Sequence, residues 1–100
     1  MILNENGKGS NSSEHKQQIE FPVTYILKVI IDINFSEYQP DIPIRELLHN
    51  NKIAHKWIGE KKSEKNNYLS YSIEITLIDR DSMDRLYSGL KTIKSVKLAI

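Results

Sequence analysis

The sequence predicts an α+β protein, a two-layer sandwich in which a four-stranded antiparallel sheet carries two helices on one face. Three observations predict it. Between Tyr68 and Leu77 one parity (Leu69, Tyr71, Ile73, Ile75, Leu77) is apolar, while the other (Tyr68, Ser70, Ser72, Glu74, Thr76) is almost wholly polar. Such alternation, rich in Ile, Tyr and Thr, marks a strand with one face against a core and the other toward water or a partner. A second alternating run lies at Ile19–Ile33, and segments of helical period separate the strands.

Taken in order, residues 1–18 are rich in Asn, Gly and Ser, with Lys8, Glu14 and Lys16 among them. They hold too little apolar surface to offset about 1–2 kcal/mol of backbone entropy per residue, so a disordered tail is expected, followed by one domain over 19–100. In Ile19–Ile33 the residues Phe21, Val23, Tyr25, Leu27, Val29, Ile31 and Ile33 share the core parity. The opposite parity holds Pro22, Thr24, Ile26, Lys28, Ile30 and Asp32. Apolar residues on both faces suit a central strand, with Pro22 at its start, where a missing N–H is tolerated.

Asn34–Asp41 reads as a connection, and Asp41 or Ile42 opens a short helix that accepts Pro43 in its first turn. Ile44, Leu47 and Leu48 form its buried stripe, and Asn50-Asn51 ends it. Ile53–Glu64 is a weaker strand whose Lys56, Lys61 and Lys62 suit an edge. Trp57 and Ile58 are adjacent, so one faces the core; a one-residue slip of register decides which. Lys65, Asn66 and Asn67 make the turn into the Tyr68 strand.

Asp79–Ile93 is the stronger helix. Asp79, Asp81 or Ser82 can cap it, and Met83, Leu86, Tyr87, Leu90 and Ile93 follow the 3.6 period. Gly89 is discordant in a helix interior, where it costs about 1 kcal/mol against alanine, and a close approach to the sheet would explain it. Val96, Leu98 and Ile100 share a parity and form a last short strand. The order β-α-β-β-α-β with right-handed crossovers is the ferredoxin-like arrangement, with the first and third strands central.

Composition narrows the function classes. The net charge of +1 gives no global field toward nucleic acid or membrane. There is no cysteine, hence no disulfide or thiolate chemistry. Met1-Ile2-Leu3 runs at once into Asn4, Glu5 and Asn6, unlike a signal peptide, and no apolar run nears the roughly 20 residues of a membrane span. A cytoplasmic protein that does not engage membrane is expected.

Three pieces carry a resemblance. Ile19-Glu20-Phe21-Pro22 leads into Tyr25-Ile26-Leu27-Lys28-Val29; Ser63 to Ile73 forms the hairpin turn and following strand; Leu86-Tyr87-Ser88-Gly89-Leu90 precedes Val96-Lys97-Leu98. In order and spacing these resemble the YbeD-like family of small uncharacterised bacterial proteins, although Asn66 stands where that family usually has Gly. The resemblance implies a ferredoxin-like fold similar to small-molecule-sensing ACT regulatory domains, and implies no activity.

Candidate chemistry is sparse. His49 and His55 have no spacing that aims both at one metal ion. Asp79, Asp81 and Asp84 lack the glycine and glutamate of a calcium loop, and helix capping accounts for them. Ser70 and Ser72 have no histidine placed to activate them, and no Gly-rich phosphate loop follows a strand. No catalytic residue, metal or cofactor is expected. The expectation is a non-enzymatic regulatory or protein-interaction module, monomeric or weakly dimeric, engaging a protein or, in an ACT-like version, a small effector near Asn34–Asp41. Its candidate surface is the open sheet face: Ile26, Lys28, Ile30, Ser70, Ser72 and Glu74. The alternative is a nucleic-acid module whose Lys56, Lys61, Lys62 and Lys65 contact phosphate, set against an open face with one aromatic, Tyr68, and one acid, Glu74. Lys28 and Lys97 have stems long enough to shield apolar neighbours there.

Overall fold

The computed structural model describes residues 19–35, 39–65 and 67–100. The expected tail, the middle of the Asn34–Asp41 connection and Asn66 of the expected turn lie outside these residues. The elements run β1 (Val23–Asp32), α1 (Ile42–Asn50), β2 (Ala54–Lys62), β3 (Tyr68–Leu77), α2 (Arg80–Thr92) and β4 (Val96–Ala99). The sheet order is β2-β3-β1-β4, antiparallel throughout, with β1 and β3 in the middle. This is the ferredoxin-like sandwich.

The β1–β3 register places like with like. Leu27 pairs with Ile73, Val29 with Tyr71 and Ile31 with Leu69, so the apolar parities of both strands fall on one side. Those six are buried, as are Ile75 and Leu77, and the helices close over them with Ile44, Leu48, Leu86 and Leu90. Fully burying each such side chain contributes about 1.5–3 kcal/mol. That layer holds the two helices on one face only.

Helix ends follow local chemistry. Asp79 caps α2, accepting the Ser82 N–H at 2.8 Å, while the Ser82 hydroxyl reaches back to the Asp79 N–H in a capping box. The Ser82 N–H, and then its hydroxyl, hold the Asp79 carboxyl below its ordinary pKa. Asp81, the competing candidate, pairs with Arg85 one turn on. At the end of α1, the Ile53 N–H bonds the Leu48 carbonyl at 2.9 Å and the Lys52 N–H bonds that of His49 at 3.0 Å. This is a Schellman ending, two residues beyond Asn50, with Lys52 at φ 57° in the left-handed region that Gly or Asn usually fills.

Three details differ from the sequence reading, and a fourth, the side taken by Trp57, is one that reading leaves open. β1 begins at Val23, not Ile19, and a 3-10 turn at Ile33–Phe35 follows it. In β2, Ile58 is an extra residue: Trp57 pairs with Ile73 and Gly59 with Ser72, so a bulge gives Trp57 to the core side and leaves Ile58 exposed. In β4, Val96 pairs with Ile31 but Leu98 with Ile30, so Lys97 is extra and the shared parity of Val96 and Leu98 is broken. Finally, Gly89 approaches α1 rather than the sheet. A Cβ there would lie 2.3 Å from Leu47 Cδ1 and 3.2 Å from its Cγ, so the missing side chain is room for the neighbouring helix.

Candidate functional site

The sheet face away from the helices brings all six candidate residues together. Ile26 stands opposite Glu74, Lys28 opposite Ser72 and Ile30 opposite Ser70, two adjacent columns three rows deep. β4 extends the face. The Lys97 bulge turns Leu98 onto it beside Ile30, and Ile100 exchanges backbone hydrogen bonds with Lys28 at 2.8 and 2.9 Å. Ile26 is 44% exposed, Leu98 48% and Ile100 62%, while Ile30 is half-buried between them. A shallow depression of about 470 Å³ is lined by Ile30, Tyr68, Lys97 and Leu98. The Lys97 ammonium stands 5.9 Å from the Tyr68 ring centroid, a cation–π distance that holds its stem over the strand end.

Charge on this face is uneven. Register puts Lys28, Lys56 and Lys61 there, with Lys97 on the bulge, against the carboxylates of Asp32 and Glu74. Asp32 accepts the Asn34 N–H at 3.0 Å. Among the described residues none of the four lysines has an ion-pair partner, whereas Asp41 pairs with Arg45 and Asp81 with Arg85 at helix starts. Of the hairpin lysines, Lys56 and Lys61 share the open face. Lys62 pairs with buried Leu69, so its register belongs to the helix side, and Lys65 lies in the turn.

A second polar group stands under the first turn of α1. The Arg45 guanidinium lies 4.0 Å from the Trp57 ring centroid, and its Nε donates to Asp41 at 2.6 Å. Trp57 meets Tyr71 edge to face at 5.2 Å. Its indole N–H is buried and has no hydrogen-bond partner among the described residues. Burial first, then the carboxylates of Asp41 and Glu60, push the Tyr71 phenol up to about 12, against a smaller opposing effect of Arg45, so it stays a neutral donor. Asp41, Arg45, Trp57 and Tyr71, with Gly59 and Glu60, line a recess of about 280 Å³. This group was hidden in the sequence because the side taken by Trp57 depends on the bulge at Ile58.

The model of the family described as protein of unknown function, DUF493, matches residues 16–100. The chain belongs to the DUF493 family. This is the YbeD-like family that its sequence resembles. Two solved structures share the DUF493 chain's fold. Protein HP0495 from H. pylori is 15% identical, with 93% of this chain and 98% of that one covered at a TM-score of 0.69. The uncharacterized protein TM1266 from Thermotoga maritima is 20% identical, with 77% and 92% covered at 0.55. At these identities the likeness speaks to fold alone. No curated protein matches the chain in sequence.

The remaining polar residues do not converge. His49 is exposed at the end of α1, and His55 Nδ1 lies 2.8 Å from the Ile53 carbonyl oxygen. Among the described residues no three of His, Asp and Glu gather as a metal site would require. The Tyr25 and Tyr87 hydroxyls share a 2.5 Å hydrogen bond beneath the sheet. Burial, then Tyr87, raises the Tyr25 phenol well above its usual pKa, so the Tyr25 hydroxyl keeps its proton. Among the described residues no helix is long and apolar enough to cross a membrane.

Proposed function

We propose that this DUF493 protein is a non-enzymatic interaction module whose partner surface is the open face of its sheet. One observation supports the reading above all: Ile26, Ile30, Leu98 and Ile100 gather around Lys28 on the side that the helices leave bare. Aliphatic side chains clustered in solvent are the usual mark of a surface that becomes covered. The group rests on the two central strands of a buried core, so it is presented rigidly and needs no rearrangement to bind.

Affinity capture from the cytosol of the native cell tests it, comparing wild type with Ile26→Asp and Leu98→Asp. A partner held by the wild type and lost by both variants, with circular dichroism unchanged, supports the reading. Equal retention by all three proteins refutes it.

A second reading, effector sensing, is favoured by the recess beneath α1, where the Trp57 N–H has no partner among the described residues and Tyr71 is a neutral donor. It expects a small polar metabolite to raise the melting temperature of wild type but not of Trp57→Phe. A metabolite panel that leaves the wild-type temperature unmoved removes this reading.

A further inference from the structure

We infer that the open face takes an acidic, amphipathic polypeptide segment, one in which Asp or Glu residues flank two or three aliphatic side chains. The inference rests on the interaction-module reading and adds the chemistry of the partner. Ile26 and Ile30 are four residues apart on β1, about 13 Å along the strand. Leu98 and Ile100 on the neighbouring strand widen the stripe by one strand spacing, about 5 Å. That footprint fits the apolar side of one helix or one extended segment. Lys56 and Lys61 stand on one flank, on β2, and Lys97 stands on the other, on β4; Lys28 lies within the stripe.

Charge complementarity decides among occupants. The whole chain has a net charge of only +1, yet among the described residues this face sets four lysines without ion-pair partners against the side-chain carboxylates of Asp32 and Glu74. A second copy laid on the same face would bring lysine against lysine, and like-charge contact is unfavourable. A nucleic acid would meet aliphatic side chains where bases need rings to stack on, with Tyr68 the one aromatic of the paired open-face positions among the described residues and Glu74 facing phosphate. An acidic amphipathic segment satisfies both features at once: its aliphatic groups cover the stripe and its carboxylates reach the flanking ammonium groups.

The test pans a phage-displayed pool of random twelve-residue peptides against the immobilised full chain. The enriched peptides are then titrated into isotope-labelled protein. The expected result is net-negative peptides containing Leu, Ile or Phe, with amide shifts at Ile26, Ile30, Leu98 and Ile100. Leu98→Asp should weaken binding at least tenfold. Lys61→Glu combined with Lys97→Glu should weaken it about tenfold and flatten its salt dependence. Enriched peptides that are neutral or basic but still shift open-face amides overturn the acidic partner and leave the face reading standing. Shifts confined to other surfaces overturn both. No enrichment overturns the inference, as does dimerisation through this face or tighter binding of oligouridylate there, the last shown by steep salt dependence.

Discussion

Ile73 and Glu74 are adjacent on β3 and live in opposite worlds. Ile73 is fully buried, between Leu27 on β1 and Trp57 on β2, under two helices. Glu74 lies on the bare side, between Ile26 and Lys56. Every residue of the β1–β3 ribbon repeats this contrast, since a strand sends alternate side chains to opposite faces. The difference teaches where each kind of information sits. The covered face specifies the fold, so its side chains are constrained by volume; the bare face contributes little to folding, so its composition is free to serve recognition.

The largest effect belongs to the covered face. Ile73→Ala removes buried methyl groups from the middle of the sheet and leaves a cavity that the flanking strands cannot close. A loss of about 2–5 kcal/mol is expected, read as a lower urea midpoint with unchanged slope. A loss below about 1 kcal/mol would mean that this face is not the tightly packed one, and the contrast would break.

A smaller effect measures how closely the covering layer is fitted. Gly89→Ala gains about 1 kcal/mol of helix propensity but places a methyl 2.3 Å from Leu47 Cδ1. Leu47 is half-buried, so its methyls can swing partly aside, yet clearing its Cγ at 3.2 Å needs a change of χ1 against its packed neighbours. A net destabilisation of about 1 kcal/mol is expected, typical of overpacking offset by propensity. In a Leu47→Ala background the sign should reverse and Gly89→Ala should stabilise. Additive effects in the double-mutant cycle would show that the two helices do not meet there.

The same contrast explains what the sequence made legible. Ten residues of unbroken alternation in β3, matched by β1, left one arrangement in which both apolar parities met the same layer, so the fold and six residues of the open face followed. The remainder turned on single inserted residues. Ile58 and Lys97 each shift register by one, and no pattern of apolar residues marks where a strand will bulge. Because of Lys97, Leu98 and Ile100 do not share a face with Val96, and they are half of the exposed apolar group. Because of Ile58, the stacking of Arg45 on Trp57 could not be anticipated. Lys52 in a left-handed conformation was equally hidden, since a lysine there runs against its own preference and tertiary packing of Ile53 and Leu48 overrides it. Gly89 announced a close approach, but only geometry could name the helix as the neighbour.

The smallest effect on stability is the sharpest test of the bare face. Ile26 is next to fully buried Leu27, yet it is 44% exposed and stands over strands rather than beneath helices. Ile26→Thr keeps a β-branched residue, so the strand preference is retained, and only half of a side chain's burial is at stake. The expected change is within about 1 kcal/mol, against roughly 1.5–3 for burying an aliphatic side chain completely. A larger loss would mean that something already covers this face in the isolated protein, and the surface would belong to folding. A small loss, set beside the several kcal/mol expected at Ile73, would locate the boundary between folding and recognition within a sheet one residue thick.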